Sequence, residues 1–442
     1  MTKEIAALLE VIFAGLRKSG RFDLEATETA TRAAAHHLGG KVLERLLDAP
    51  SGFEREVPCA CGHPARFREM RSKQLTTVVG PITIQRPYYL CGHCHQGQSP
   101  RDAELDVQGT ECSPGVRRMM ALVGSDTSFD HGREQLEMLA GLEVTTKAVE
   151  RHAEAIGADV AARDEQQIHR AKQLDLPIPF GQPIRIIYLE MDGTGLPMVS
   201  SETEGRVGKV EGHPARTREC KLGSVFTQTT VDAQGRPIRD EDSTSYVGAI
   251  ETAEEFGLRI YTEAWQRGWS RAQTKVVIGD GADWIWNIAE QHFPGAIQIV
   301  DLFHARQHLW ELAGTLCPNN PLRQQRWLNH KLQWLDNGQI GKLVSAIRAA
   351  TERYPEAADA IRLEANYFEK NADRMRYPDF RRQDLFVGSG VIEAACKTVI
   401  GSRLKQSGMF WTVRGANAII ALRCNRLSGK FEDYWAARQE AA

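Results

Sequence analysis

Residues Ile184 to Met191 form a nearly unbroken apolar run that stops at Asp192-Gly193-Thr194-Gly195. A run of this length and texture is the pattern of a strand buried on both faces, which needs a sheet covered by helices on either side. Further strand patterns fall at Leu222 to Val231, Ser243 to Ile250, Lys275 to Ile278 and Ala296 to Val300, with helical patterns at Thr252 to Trp269 and Asp283 to His292. Three strands followed by alternating helix and strand predict a mixed sheet with helices on its faces, beginning after Pro177-Ile178-Pro179. From Leu302 to about Asp373 the chain reads as helical and looks inserted. The last segment opens at Gly388-Ser389-Gly390 and runs helically through Glu393.

A chain of 442 residues exceeds one ordinary domain of roughly 100 to 200 residues, so more than one folding unit is expected. Near the N-terminus, Ile5, Leu8, Leu9, Ile12 and Leu16 share one helical face, and a second helix is expected around Ala30 to Leu47, closed by Pro50-Ser51-Gly52. Between Phe67 and Leu90 the texture becomes that of a β-hairpin turning at Gly80-Pro81. From Ser113 it is helical again. Two helices at about 130 to 140 and 145 to 157 flank Gly141-Leu142-Glu143-Val144, a turn of helix-turn-helix length, and Thr145 is placed to cap the second. The apolar stretch Ile5 to Leu16 is broken by Glu10 and is far below the roughly 18 residues of a membrane span. With no secretory signal pattern, nine cysteines read as reduced thiols or metal ligands, and the expected compartment is the cytoplasm, without membrane association. A net charge of -2 makes no whole-chain case for a polyanionic partner, so any nucleic-acid surface must be local.

Two acids stand where strands are expected to end: Asp192 after Met191, and Asp280 after Val276-Val277-Ile278-Gly279. The crevice at the carboxyl ends of such strands is where α/β sheets bind ligands, and paired carboxylates suit hard divalent cations. Each Asp-Gly taken singly is also ordinary turn chemistry. A third acid, Glu393, near a helix start, completes a strand-Asp, strand-Asp, helix-Glu order. That order on this strand pattern is the ribonuclease-H-like arrangement for two-metal phosphodiester chemistry. One ion activates the attacking oxygen and the other stabilises the leaving oxygen, roughly 3.5 to 4 Å apart.

The segments Met191-Asp192-Gly193-Thr194, Gly279-Asp280-Gly281-Ala282-Asp283-Trp284, Asp301-Leu302-Phe303-His304 and Gly388 to Lys397 resemble those of bacterial insertion-sequence DDE transposases of the Kra-four type, allied to the Mutator-like group. The resemblance spans most of the chain, including the cysteine-flanked hairpin and Gln406-Ser407-Gly408-Met409-Phe410-Trp411. It implies Asp192, Asp280 and Glu393 as a triad holding two Mg²⁺ or Mn²⁺ ions, with a helical insertion between the second Asp and the Glu. It also implies double-stranded DNA, transposon ends and target alike, as partner, a homo-oligomer in the synaptic complex, and a nucleoid-associated bacterial protein. Asp301 and His304 match the group's acid-x-x-His motif, and Asp301 is equally placed to cap a helix beginning at Leu302. Asp283 is the weaker acid, explained as well by a helix start.

The expected fold is therefore multidomain α+β. Residues 1–50 form a helical segment, 51–112 a zinc-ribbon-like hairpin module and 113–176 a helix-turn-helix-like part. Residues 177–301 form the first part of a ribonuclease-H-like core, 302–386 an all-helical insertion, and 387–442 the end of the core with basic helices.

Cys91-Gly92-His93-Cys94 has the spacing that directs two thiolates at one zinc, and Cys59-Ala60-Cys61 lies across the hairpin. One structural zinc on Cys59, Cys61, Cys91 and Cys94 is expected, with His63 or His95 as substitutes for Cys59 because the first pair has a single intervening residue. Residues 381–430 carry nine Lys and Arg against Asp384 and Glu393, and Arg403, Lys405 and Arg414 in it are candidate phosphate contacts. A second basic set, Arg66, Arg68, Arg71, Lys73 and Arg86, decorates the hairpin, whose two-stranded shape suits a major groove. A third comprises Arg206, Lys209, Arg216, Arg218 and Lys221. Two rival readings share these features: a stand-alone nuclease or resolvase, and a DNA-binding protein that has lost catalysis.

Overall fold

The computed structural model describes residues 17–18, 21–48, 52–208 and 215–441. The expected helix over Ile5 to Leu16, the Pro50-Ser51 break and Lys209 lie outside them. The chain divides into two compact units, residues 1–156 with 432–442, and residues 157–431.

In the first unit, α1 (Leu24–Leu47) begins at Asp23, whose side chain accepts a hydrogen bond from the Ala26 N–H. A four-stranded antiparallel sheet follows, in the order β1 (Glu56–Pro58), β2 (Pro64–Thr77), β3 (Gly80–Cys91) and β4 (Gly97–Gln98). The β2–β3 hairpin turns where the sequence places it: Thr77 pairs with Gly80, whose φ of +97° only glycine adopts without strain. Leu75, Ile82, Ile84 and Val107 form a small core with Leu43 and Leu47 of α1. Beyond it stand α2 (Pro114–Asp126), capped by Ser113, and α3 (Phe129–Gln135), which runs into a π-helical turn at Leu136–Ala140. After left-handed Gly141 comes α4 (Thr146–Lys172), where Thr145 Oγ1 accepts from the Ala148 N–H at 3.1 Å. The helix pair and its cap match expectation, but α4 continues well past Gly157. That glycine admits a close neighbour instead of ending the helix: a Cβ there would lie 2.0 Å from the Ala418 carbonyl oxygen.

The second unit holds a five-stranded mixed sheet of β5 (Ile184–Pro197), β6 (Thr217–Gln228), β7 (Ser245–Ala249), β8 (Ala272–Gly279) and β9 (Ile297–Val300), in spatial order β7-β6-β5-β8-β9. The middle strand β6 runs antiparallel to both β5 and β7, and β8 and β9 run parallel to β5. On the sheet lie α5 (Ala253–Gln266), opened by a Thr252–Glu255 capping box, and α6 (Asp283–His292). One expectation is corrected: Asp192-Gly193-Thr194-Gly195 is not a turn at a strand's exit but lies within β5. The β6 ladder, pairing Asp192 with Leu222 through Gly195 with Glu219, supplies backbone hydrogen bonds that a turn would make locally. Gly193 suits this site because a Cβ there would meet Glu219 Oε1 at 2.6 Å.

The segment after β9 is helical as expected: α7 (Leu302–Leu316), α8 (Pro321–Asp336), α9 (Ile340–Ala349), α10 (Ala358–Lys370) and α11 (Tyr377–Arg382). Its buried face, with Leu309, Leu335, Leu343, Ile361 and Phe368, belongs to one apolar core with Val277 and Ile299 of the sheet. Trp327 and Trp334 pack against that core, whereas Trp310 is exposed. Then come α12 (Gly390–Ala395), a π-helical turn at Cys396–Gly401, and α13 (Val413–Leu427). Among the described residues no helix is long and apolar enough to cross a membrane.

Candidate functional site

The parallel ladder between β5 and β8 ends at Glu190 paired with Ile278. Two residues beyond that pair stand Asp192, still within β5 and paired with β6, and Asp280, just past the end of β8, so the two acids come to the place where the β5 and β8 backbones part. Glu393 comes to the same place from the first turn of α12. Asp192, Asp280 and Glu393, with His304, Gln307 and Ser389, line one cavity of about 310 Å³.

The local bonding fixes each group. Asp192 Oδ1 accepts from the Gly193 N–H at 2.7 Å, and its Oδ2 from the Cys396 thiol at 3.3 Å. Asp280 Oδ1 accepts from the Ala282 N–H at 2.8 Å. Burial, reinforced by the charge of Asp280, raises the pKa of Asp192. Burial and then the neighbouring Asp301 raise that of Glu393. Among the described residues, the sets of three or more ligating atoms within 4.8 Å of one another involve Cys59, Cys61, Cys91 and Cys94, or Cys61, His63 and His93. The acids meet at the cavity without forming such a set, so their donors do not close on a single ion unaided. Their chemistry fits hard cations: the donors are oxygens only, and for Asp192 and Glu393 burial and neighbouring carboxylates disfavour the ionised form unless positive charge joins them.

Asp301 is buried and caps α7. Its Oδ1 accepts from the Phe303 N–H at 2.8 Å and its Oδ2 from the Ser389 hydroxyl at 2.5 Å, which ties the start of α7 to the start of α12. His304 reaches the cavity wall. Asp283 does not line it: exposed on the first turn of α6, it pairs with Lys370 at 2.5 Å.

Three supporting groups escaped the sequence reading. Glu190 is fully buried, and its Oε2 accepts from the Ile392 N–H at 2.8 Å, joining the strand of Asp192 to the helix of Glu393. Burial pushes its pKa up to about 8. The visible signal was a carboxylate inside the run Ile186 to Met191, whose other residues are apolar or aromatic. Cys396, one helical turn after Glu393, donates its thiol to Asp192. Tyr367 of α10 donates to the Asp280 carbonyl oxygen at 2.8 Å and stacks on His308, whose Nδ1 lies 2.9 Å from Glu364. The helices after β9 thus brace the loop that carries Asp280.

At the far end of the hairpin, the sulfur pairs Cys59–Cys94 and Cys61–Cys91 are each 3.6 Å apart. A tetrahedron of thiolates around zinc at about 2.3 Å has edges of about 3.8 Å, so the cluster can hold one zinc ion. Backbone N–H groups of Cys94 and His93 draw the Cys91 thiol down to about 6, favouring the thiolate. The short first spacing does not exclude Cys59. His63 stacks on His93 with ring centroids 3.8 Å apart and planes 7° apart. Parallel rings so arranged cannot both aim in-plane lone pairs at one ion, so the four sulfurs are the better set.

Several cations of the basic sets turn inward, Lys221 of the third set among them, paired with Glu219 at 2.8 Å. Arg403, a candidate DNA contact, is 0% exposed; it lies over Trp411, 5.1 Å from the ring centroid, and burial lowers its pKa to about 10. Arg423 of the same run is also buried, donating to the Val399 carbonyl at 2.6 Å, because the π-helical turn presents carbonyl groups that need donors. Lys73 is directed inward, its Nζ donating to the Val107 carbonyl at 2.6 Å and pairing with Asp102 at 3.2 Å. Arg66, Arg68, Arg71, Lys405 and Arg414 are exposed; Arg66 pairs with Glu56, Arg71 with Glu69, and Lys405 donates to Thr194 Oγ1 at 2.5 Å.

No family model and no curated protein matches the chain. Among solved structures, the Drosophila P element transposase strand transfer complex aligns over 77% of this chain and 84% of that chain, at 10% identity and a TM-score of 0.25. A likeness of that degree carries no argument about function.

Proposed function

We propose that this chain is a DNA transposase of the DDE type. It binds the terminal inverted repeats of its insertion sequence as a homo-oligomer and cuts and joins DNA strands at Asp192, Asp280 and Glu393. The observation that carries the reading is the convergence of these three acids, more than two hundred positions apart end to end, on one cavity where β5 and β8 part. The strand order supports a ribonuclease-H-like core, and the motif resemblance supports the Kra-four type. Two Mg²⁺ or Mn²⁺ ions held by the three acids would supply charge for the attacking and leaving oxygens of a phosphodiester.

The chain's own residues do the positioning. The β6 ladder and the Gly193 N–H hold Asp192, Ala282 and Tyr367 hold Asp280 and its loop, and Glu190 with Ser389 fixes the turn that carries Glu393. His304 stands at the wall, able to face a phosphate oxygen. The cysteine cluster, with structural zinc, stiffens the hairpin that carries Arg66, Arg68 and Arg71 towards DNA.

The test combines the full chain, a linear duplex carrying the sequences that flank its gene, a plasmid target and Mg²⁺. Cleaved and joined products are expected, abolished by Asp192→Ala, Asp280→Ala or Glu393→Ala with DNA binding retained, and only reduced by Asp283→Ala. Cleavage without joining would favour a nuclease or resolvase. A folded, DNA-binding Glu393→Ala protein cutting at the parental rate would refute the assignment.

A further inference from the structure

Beside the carboxylate cavity lies a larger cleft of about 890 Å³ that shares two residues with it, Phe303 and Glu393. Its floor is apolar, with Leu385, Phe386 and Val387, and two cations, Arg236 and Arg381, stand on its walls. Phe303 is 62% exposed although it follows a buried leucine in the first turn of α7. Its ring is nevertheless seated. A Cβ added at Gly388 would lie 3.0 Å from two ring atoms, so the missing side chain lets the aromatic plane rest against backbone. Arg236 is braced on the turn between the short strands Thr230–Val231 and Pro237–Ile238 by Asp232, Nε to Oδ2 at 2.7 Å.

We propose that this cleft is a binding subsite for an unpaired nucleotide next to the scissile phosphate, with its base stacked on Phe303 and its phosphate facing Arg236 and Arg381. The proposal rests on the reading of Asp192, Asp280 and Glu393 as a phosphodiester site. A ligand that is flat and apolar on its faces, yet anionic along its edge, matches an aromatic platform, an apolar floor and two guanidinium groups. The volume lies in the range of pockets for compact ligands, roughly 300 to 1,000 Å³, and so admits a nucleotide taken out of the stack, not a duplex. The shared wall at Phe303 and Glu393 puts the subsite within one residue of the acids, so only the nucleotide adjoining the reacting phosphate can occupy it. Unstacking that nucleotide costs free energy, which stacking on the ring offsets.

The experiment uses the full chain with Mg²⁺ and the flanking-sequence duplex, with an abasic position or 5-iododeoxyuridine moved stepwise across the cleavage point. Photocrosslinking is expected from one position next to the cut, to the peptide containing Phe303. On intact DNA, Phe303→Ala should slow cleavage roughly tenfold, the scale of one lost base–aromatic stack, and Phe303→Trp should restore it. On DNA abasic at that position, Phe303→Ala and the parent should cleave alike, because no base remains to stack. If Phe303→Ala slows intact and abasic DNA equally, or the crosslinks avoid Phe303, the subsite is refuted while the catalytic reading stands. If the parent cleaves no DNA with its acids intact, both fall together.

Discussion

Replacing Glu190 by Gln tests how the strand of Asp192 is joined to the helix of Glu393. The carboxyl is fully buried, and burial, with smaller contributions from Asp301 and Glu393, lifts its pKa from 4.5 to about 8. Because the folded value is the higher one, the unfolded chain releases this proton first as pH rises. The stabilisation is therefore complete below about 4.5 and is lost progressively as pH climbs through about 8. At 1.36 kcal/mol per unit of pKa difference, the loss between about pH 5.5 and about pH 8.5 comes to about 3 kcal/mol. Gln has nothing to ionise and keeps a carbonyl oxygen that accepts from the Ile392 N–H. The stability difference between variant and parent should shift by that amount in the variant's favour over the interval. Urea unfolding followed by tryptophan fluorescence reads it, since all nine tryptophans except Trp435 lie in residues 157–431. Glu190→Leu, which leaves the Ile392 N–H unpaired, should add a pH-independent loss of about 1 to 3 kcal/mol. A difference between the Gln variant and the parent that stays constant with pH would mean that Glu190 ionises normally in the fold, and the reasoning would fail.

Purified protein should contain about one zinc per chain, lost on Cys91→Ser or Cys94→Ser; metal analysis finding none in native protein would remove the structural role assigned to the sulfurs. Tyr367→Phe, by freeing the Asp280 carbonyl, should slow DNA cleavage by roughly 10- to 100-fold while changing stability by only about 1 kcal/mol; an unchanged rate would mean that the insertion does not brace the site. Lys405→Ala should reduce the slope of log affinity against log salt by about 1, whereas Arg403→Met should leave that slope unaltered and act on thermal stability. The opposite result would restore Arg403 as a phosphate contact and require the surrounding fold to open.

The sequence by itself determined whatever depends on near neighbours. The apolar run Ile184 to Met191 had the texture of a buried strand. The Gly80-Pro81 turn set the hairpin, Thr145 and Asp301 were caps by position, and two cysteine groups flanked one hairpin. Each follows from backbone dihedrals, side-chain periodicity or hydrogen bonds spanning a few residues. Asp280 just past a strand end and Glu393 near a helix start were legible for the same reason, whereas Asp192 was expected at a strand exit. Only the tertiary structure decided what depends on residues brought from a distance. It kept Asp192 inside a strand, because β6 pairs with the glycines that otherwise read as a turn. It buried Glu190 against the backbone of α12, turned Arg403 and Lys73 inward, and set Tyr367 under Asp280. A charged residue has the same local pattern whether it faces water or a buried partner. Which of the two it meets is settled when sheet, insertion and terminal helices pack, and that contact fixes whether its charge reaches a ligand.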